Sequence, residues 1–456
     1  MKPNKQIVTA VISAALLTGG AAFGQSGDAI LDLLTKKGVI SQKEANDARE
    51  QLDAQNAQTF DAYNKIKVSS WVNNLQFFGD GRLRYEWRSG TGNAGTGAAY
   101  DNASLDRFRY RLRFGVKGEF LDDFSYGLRL ETGTKGNSAN VTMGGQGFSG
   151  SPWAKGGNDA IELGQFWAQY KVANGWRPDW LTLIGGRFET PFIQYGMGWK
   201  DDINPEGFAQ KFLFKTEKVD YFLTLGEFTY NNTAKQDNFG TGASGVDTWL
   251  LGIQGGGTVK ITKDISVRLA PSFYTYTNPD STTLGIFAPT LAAGNITGVN
   301  KLNVFALPGE VAFPIPGINL PGKVFGEFDI NVTGDERAAK AGWSGYGAQD
   351  IAYQVGAQIG STKKKHDWLL KAYWQHVELN SLDPNLVNSD YFDQRMNMQG
   401  IVASGTYMFT DFLSATLTYA DAKAINSALP TLTGTGDLAG NLRSYDLIQA
   451  DLNWKF

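Results

Sequence analysis

The chain has 456 residues, with 42 Lys or Arg side chains against 45 Asp or Glu, two His and no Cys. A formal net charge of −3 does not suggest a nucleic-acid-binding protein, which would carry a basic patch or stripe. The lack of cysteine argues against a small secreted domain held together by disulfides.

Residues 1–24 are predicted to be a secretory signal peptide. Lys2 and Lys5 form the basic n-region, Ile7–Leu17 forms the apolar h-region, and "AAFG" precedes Gln25 as a cleavage site. The h-region is too short to span a membrane as a helix, which needs about 20 residues. Removal of this peptide takes away two lysines and no acid, so the net charge changes from −3 to −5.

Residues 25–69 are predicted to form a short periplasmic helical segment. The apolar residues within Ile30–Leu34 suit an amphipathic helix that ends near Gly38, and Ser41 with Glu44 forms a capping box for a second helix. Two interpretations stay open. The segment is either a helical hairpin or trimerisation stem, or a spacer with little stability of its own.

The stretch "DRFRYRLRFGVKGEF", Asp106–Phe120, alternates arginines with apolar side chains and predicts a β-strand. The pattern is roughly twice as long as an ordinary strand of about 5–6 residues. Arginines that faced lipid would cost about 2–4 kcal/mol each near the bilayer midplane. The charged face therefore needs water, and the apolar face needs a large apolar surrounding. A soluble sandwich and a membrane barrel with a wet lumen both meet these needs.

Similar stretches recur to the last residue, joined alternately by short turns and by long loops rich in Gly and Ser. We expect about sixteen strands, an even number as bacterial barrels require. Short turns on one side and long loops on the other distinguish a membrane barrel from a sandwich. The predicted fold class is all-β, a transmembrane antiparallel up-and-down β-barrel over residues 70–456.

Tryptophans near the predicted strand ends suit the interfacial girdles of such a barrel: Trp87, Trp167, Trp176, Trp180, Trp249, Trp368 and Trp454.

Three features resemble the bacterial putative-porin family. The C-terminal "DLNWKF" resembles the signal by which the barrel-assembly machinery recognises outer-membrane porins. The order of signal peptide, "ILDLLTKKGVISQKEA" segment and barrel is similar to that family, as is "GGRFETPFIQYGMGWKDDINPEGF". The resemblance covers essentially the whole mature chain. It implies a water-filled, homotrimeric channel in the outer membrane of a Gram-negative cell, surrounded by lipid and recognised for assembly through Phe456.

The candidate pore-lining residues form an arginine wall and an acidic loop. The wall comes from three consecutive strands and contains Arg82, Arg84, Arg107, Arg109, Arg111, Arg113 and Arg129. Arg187 ends a nearby strand beside Glu189, and we expect it on the inward face. Residues 191–207 are the candidate constriction loop, and the acids on it are Asp201, Asp202 and Glu206. The resemblance implies that these acids face the wall across the pore and set a transverse field.

The leading hypothesis is a porin for passive diffusion of small hydrophilic solutes and ions, with no enzyme activity, cofactor or metal. One alternative is an anion- or phosphate-selective channel, because guanidinium groups pair with oxyanions in a bidentate manner. Another is that the arginines are solvated and partly neutralised by Glu86, Glu119 and Glu131.

A barrel-based outer-membrane hydrolase or adhesin is a third class. No G-x-S-x-G elbow is present, and the loops are moderate rather than domain-sized. His366 and His376 do not form a metal site by spacing. "DDINPEG" offers oxygen ligands but lacks the spacing of a calcium-binding EF-hand.

Overall fold

A computed structural model describes residues 35–37, 72–92, 102–120, 123–133, 138–144, 160–174, 177–231, 247–279, 299–318, 320–431, 436–438 and 440–456. The chain divides into two compact units, Met1–Val68 and Ser69–Phe456. In the first unit only residues 35–37 are described, with Thr35 and Lys36 helical. The predicted signal peptide and most of the predicted helical segment lie outside the described residues and stay predictions.

The second unit consists mainly of strands, as the period-two alternation predicts. The strands are β1 (Val72–Gly92), β2 (Asn102–Phe120), β3 (Phe124–Thr132), β4 (Val141–Thr142), β5 (Ile161–Asn174), β6 (Arg177–Arg187), β7 (Glu206–Lys215), β8 (Val219–Asn231), β9 (Thr248–Lys260), β10 (Ser266–Leu269), β11 (Ser272–Tyr276), β12 (Asn303–Pro314), β13 (Pro321–Asn331), β14 (Ile351–Gly360), β15 (Trp368–Val377), β16 (Met398–Met408), β17 (Leu413–Ala424) and β18 (Leu442–Lys455). One α-helix, α1 (Gly334–Ala341), and two 3₁₀ turns (Ser344–Tyr346 and Phe392–Gln394) lie in the described loops.

The strands pair antiparallel with their neighbours, and β18 pairs with β1 to close the sheet. Both β3 and β4 pair with β2, and both β10 and β11 lie between β9 and β12. The result is a closed barrel of 16 strands, which confirms the predicted fold class. Within the part of the chain that the structure describes, no helix has the length and apolar character needed to cross a membrane.

Two local details differ from the sequence-based expectation. The Gly- and Ser-rich stretch after β3 predicts a loop that contains Val141 and Thr142, but these two residues pair with Tyr110 and Arg109 of β2. The alternating stretch "ISVRLAPSFYTYT", residues 265–277, predicts one strand, but the structure divides it at Pro271 into β10 and β11. Proline has no backbone N–H to donate, so a strand breaks or bulges where one occurs.

The outer face of the barrel sheet is apolar and its inner face is charged, as β2 shows. Phe108, Leu112 and Phe114 are 57%, 43% and 41% exposed on the outer surface, whereas Arg109 on the other face is 8% exposed. A bilayer would surround the apolar face, and the barrel interior encloses the charged one. Trp167 departs from the expected girdle, because it points inward and packs against apolar residues inside the barrel.

The barrel interior at the long-loop end is packed by chain segments that fold inward. Residues 188–205, here called luminal loop 1, bury Phe192, Met197 and Trp199. Residues 378–397, here called luminal loop 2, bury Leu379, Leu382, Val387 and Met396 in the same apolar cluster. The α1 helix adds Ala341, and Gly342 ends that helix in the left-handed conformation at φ 77°.

Candidate channel interior

Luminal loop 1 is anchored to the far wall of the barrel by hydrogen bonds to its backbone. The Ile193 N–H donates to Gln254 Oε1 at 2.7 Å, and Gln254 Nε2 donates to the Ile193 carbonyl at 2.8 Å. The Tyr195 N–H donates to Glu327 Oε2 at 3.0 Å, and Gln354 Nε2 donates to the Tyr195 carbonyl at 2.9 Å. These partners lie on β9, β13 and β14, so the loop crosses the interior instead of covering its mouth.

The acidic end of luminal loop 1 meets the arginines of β2. Asp202 Oδ1 lies 3.3 Å from Arg113 Nη1 and 3.8 Å from Arg111 Nη1. Burial raises the pKa of Asp202, but attraction by Lys200 and by these two arginines outweighs it and leaves the pKa below its ordinary value. The closed strand order places β2 and β13 on nearly opposite sides of the barrel, so the loop bridges both.

The neighbouring acid, Asp201, has a different electrostatic environment. Burial raises its pKa, and repulsion by Asp202 adds to this shift, although attraction by Lys371 of β15 opposes it. Adjacent acids on one loop therefore interact with cations on two different walls. Asp202 interacts with β2, and Asp201 with β15.

The arginine wall of β1 and β2 is paired with carboxylates on the same strands. Asp80 accepts from Arg111 at 2.8 Å and from Arg113 at 2.5 Å. Glu86 is fully buried and accepts from Arg88 at 3.1 Å and from Arg107 at 2.7 Å.

Side chains from outside β1 and β2 complete the pairing of the wall. Arg84 forms a bidentate contact with Asp451 of β18 at 2.6 and 2.8 Å. Arg82 donates to the Asn140 side chain, and Arg109 donates to the Asn140 carbonyl at 3.2 Å. Arg129 lies 3.2 Å from Glu131 and 3.7 Å from Glu189.

Luminal loop 2 covers part of this wall, which the sequence reasoning missed. Asp390 lies 3.3 Å from Arg84, and Asp393 lies 2.9 Å from Arg88. Burial raises the pKa of Asp390, but attraction by Lys200 and by the wall arginines dominates and holds the pKa well below its ordinary range. The only available signal in the sequence was the number of apolar residues within a long polar loop.

The two luminal loops also bind each other. The Lys200 N–H donates to the Leu386 carbonyl at 2.7 Å, and Lys200 Nζ donates to Ser389 Oγ at 2.7 Å. At the other end of luminal loop 2, Asp383 accepts from Tyr230 of β8 at 2.7 Å and from Tyr276 of β11 at 2.8 Å. The loops therefore form one buttressed unit inside the barrel.

Arg187 and Glu206 lie on the outer face of β6 and β7. The sequence predicts Arg187 on the inward face and Glu206 on the constriction loop facing the arginine wall, and both positions are corrected by the structure. Arg187 is in register with Phe166, which is 61% exposed, and it pairs with Glu206 at 3.3 Å. The expectation was wrong because β6 has apolar side chains on both faces: Leu183 points outward, and Ile184 packs into the luminal cluster. Glu189 lies beyond the strand end with its side chain 75% exposed.

A closed, even-numbered antiparallel barrel with an apolar outer face and a charged interior defines a transmembrane barrel of the outer-membrane type. Residues 91–285 match the model of a family described as putative porin. The resemblance stated from the sequence is therefore confirmed over residues 91–285, and the fold is a barrel of the outer-membrane porin type.

Two solved structures are similar to this chain. One is the high-pH structure of Pseudomonas putida OprB, with a TM-score of 0.47 and 12% identity, covering 83% of this chain and 94% of that chain. The other is a triple mutant of the Rhodopseudomonas blastica porin, with a TM-score of 0.40 and 11% identity, covering 84% of this chain and 100% of that chain. No curated protein matches this chain.

Proposed function

We propose that this barrel is a channel for passive diffusion of small hydrophilic solutes and ions, narrowed where the luminal loops cross it. The observation that carries the proposal is luminal loop 1, which reaches from Arg113 on β2 to Glu327 on β13. A segment fixed at both walls narrows a channel without moving with each passing solute. The contact of its Lys200 with Ser389 of luminal loop 2 makes that position rigid.

The charges around the loop would set a field across the passage. Asp202 provides negative charge beside Arg111 and Arg113 of β2, and Asp201 provides negative charge attracted by Lys371 of β15. Dipolar solutes are oriented by such a field, whereas apolar solutes gain nothing that replaces the hydration of the charges they displace.

The ion pairs of the arginine wall argue against the alternative in which these arginines bind phosphate or other anions one after another along the pore. Arg84, Arg107 and Arg113 each have a carboxylate oxygen within 3.3 Å, so their donors are already occupied. A phosphate would have to displace a buried carboxylate at each step.

The proposal includes the parts of the chain that lie outside this geometry. Export uses the signal peptide of residues 1–24, residues 25–69 form the periplasmic helical segment, and residues 70–456 form the barrel. The barrel assembles as a homotrimer after recognition through Phe456.

Planar-bilayer recording of the purified full-length protein tests the proposal. We expect discrete conductance steps that scale with bulk salt conductivity, and swelling of proteoliposomes in small neutral sugars but not in large ones. Folded protein that inserts and gives neither steps nor swelling would overturn the proposal.

A further inference from the structure

A second group of luminal charges lies toward the short-turn end of the barrel. In barrels of this type the short turns face the periplasm. Nine cationic side chains of the described strands point inward within four residues of the end of their strand on the short-turn side of the barrel. We call this set the cationic ring: Lys117, Lys171, Lys211, Lys215, Lys260, Arg268, Lys323, Lys371 and Lys455.

The inward direction of the ring follows from the strand register. Lys171 and Lys211 both pair with Thr182, which is 9% exposed and points inward. Lys323 and Lys371 lie in one row on either side of Gln358, and the adjacent Val324 and Leu370 are exposed apolar residues on the outer face. The members lie on β2, β5, β7, β9, β10, β13, β15 and β18, which together surround the lumen.

Carboxylates are scarce at this level of the lumen. In the described strands only four carboxylates point inward within four residues of the same strand end: Glu119, Asp220, Glu310 and Asp451. Three of them are already paired. Asp220 lies 2.8 Å from Lys260, Glu310 lies 3.0 Å from Lys323 and 3.3 Å from Arg268, and Asp451 is bound by Arg84 of the arginine wall.

Most of the ring therefore has no carboxylate in direct contact. Among the described residues, six ring lysines have no carboxylate oxygen within 4.0 Å: Lys117, Lys171, Lys211, Lys215, Lys371 and Lys455. Two of the six are held by aromatic rings. Lys371 Nζ lies 5.0 Å from the ring centre of Phe325 and 5.2 Å from that of Tyr373, and Lys117 Nζ lies 5.5 Å from that of Phe78. Such contacts position an ammonium group and leave its charge in place.

We infer that the cationic ring is an anion-concentrating vestibule at the periplasmic mouth, which gives the channel a preference for small inorganic and organic anions. The inference rests on the proposed channel function and adds the class of solute. It also assigns anion attraction to these lysines and not to the paired arginines. Rings of like charge in a pore raise the local concentration of counter-ions and select by sign.

The test is the reversal potential in a potassium chloride gradient across planar bilayers that contain the full-length protein. The test variant is the triple substitution K117Q, K171Q and K211Q, which removes three unpaired ring charges from three strands. The matched control is K363Q, K364Q and K365Q, which removes three charges from an exposed turn at the same end of the barrel, outside the lumen. Both sets change the net charge equally.

In about 0.1 M salt, where the Debye length is about 10 Å, we expect wild type to favour chloride over potassium. The luminal triple variant should lower the chloride-to-potassium permeability ratio by about twofold or more, and the turn variant should leave it unchanged. The corresponding K117E, K171E and K211E variant should favour potassium. In about 1 M salt the differences should shrink, because the Debye length falls to about 3 Å.

The outcomes separate the inference from the proposed function. Normal conductance with no chloride preference in wild type, or an equal shift in the luminal and turn variants, would overturn the vestibule and leave the channel standing. Absence of conductance in folded wild type would overturn the channel itself. If the triple variant does not fold, the charge-preserving K117R, K171R and K211R variant and the single K211Q variant provide the comparison: the first should keep the wild-type ratio and the second should lower it.

Discussion

Asp202 and Arg113 connect luminal loop 1 to the wall of β2, with 3.3 Å between Asp202 Oδ1 and Arg113 Nη1. The same guanidinium group also contacts Asp80 on β1. Arg113 is therefore shared between the barrel wall and the loop. The loop position is coupled to the charge balance of the wall, and a change at Asp202 should affect both.

Asp202→Asn should loosen the β2 end of luminal loop 1 and leave Arg111 and Arg113 with less negative charge nearby. We expect noisier single-channel current and a reversal potential shifted toward anions. The free energy of unfolding should fall by about 1–3 kcal/mol, because two guanidinium groups lose a charged acceptor. Asp264→Asn, in an exposed turn, is the control. Quiet current with unchanged selectivity would show that the contact does not position the loop.

Acidification should act in two stages, because the acids of the luminal loops have pKa values shifted in opposite directions. The pKa of Asp201 is raised, so this acid takes up its proton first as the pH falls toward 3.8. The channel then loses negative charge where luminal loop 1 crosses it, and selectivity should shift toward anions while the current stays quiet. Asp201→Asn should abolish this first stage.

The second stage depends on Asp202 and Asp390, whose pKa values are lowered from 3.8. Their stabilising contribution is present above the unfolded value and is lost as the pH falls through the lower folded value. We therefore expect current noise and loss of the loop contacts only below about pH 3.8. Recordings between pH 7 and 3 check the order. Noise that appears before the selectivity shift would contradict it.

Tyr230 and Tyr276 anchor luminal loop 2 through the single acceptor Asp383 Oδ2. Tyr276→Phe should lower the free energy of unfolding by about 1.5–3 kcal/mol, since a hydrogen bond to a charged group is lost. The loss of unfolding free energy in the Tyr230→Phe, Tyr276→Phe double variant should differ from the sum of the two single losses, because the two hydroxyl groups share one acceptor. Tyr221→Phe, on the outer face and 49% exposed, should change stability by less than about 0.5 kcal/mol. Additive effects in denaturant titrations would argue against a shared anchor.

The barrel was predictable from the sequence because strand alternation and turns are local signals. The strand that alternation predicts over Asp106–Phe120 lies within β2, Asn102–Phe120, and ends at the same residue. Acidic partners of the wall were only partly visible: Glu86 and Glu131 were anticipated, whereas Asp80, on the same face of β1 as Arg82 and Arg84, was not. Alternation shows which residues share a face but not which of them meet.

The luminal loops were harder to predict because their burial depends on the barrel that surrounds them. Apolar residues such as Leu382, Val387 and Met396 follow no period, since they pack against several strands at once. The same packing places the apolar Ile184 on the inward face of β6. Alternation on β6 therefore did not show which face is apolar, and the outward position of Arg187 could not be predicted. Tertiary contacts of this kind leave no regular trace in one sequence.

The seam between β1 and β18 provides the last prediction, because two glycines of β1 accommodate the aromatic residues that close the barrel. The Gly79 N–H donates to the Phe456 carbonyl at 2.9 Å, and the Phe456 N–H donates to the Gly79 carbonyl at 3.1 Å. A Cβ added at Gly81 would lie 2.1 Å from the indole of Trp454, and one added at Gly79 would lie 2.5 Å from the ring of Phe456. The rings cover the glycine backbone, as aromatic residues often do across a strand pair.

Gly81→Val should therefore reduce the folded fraction, measured by far-UV circular dichroism and by heat-dependent migration on gels. The direction of the change in stability is informative, because valine has a higher strand propensity than glycine. At an unobstructed strand site the substitution would stabilise the fold by up to about 1 kcal/mol. Gly255→Val is the matched control, since a Cβ there meets its nearest neighbour at 3.6 Å. It should fold at least as well as wild type.

Combining Gly81→Val with Trp454→Ala should restore assembly relative to Gly81→Val alone, because the indole that obstructs the new side chain is gone. A double variant that folds no better than Gly81→Val would mean that the glycine is required for its backbone and not for the space that Trp454 occupies.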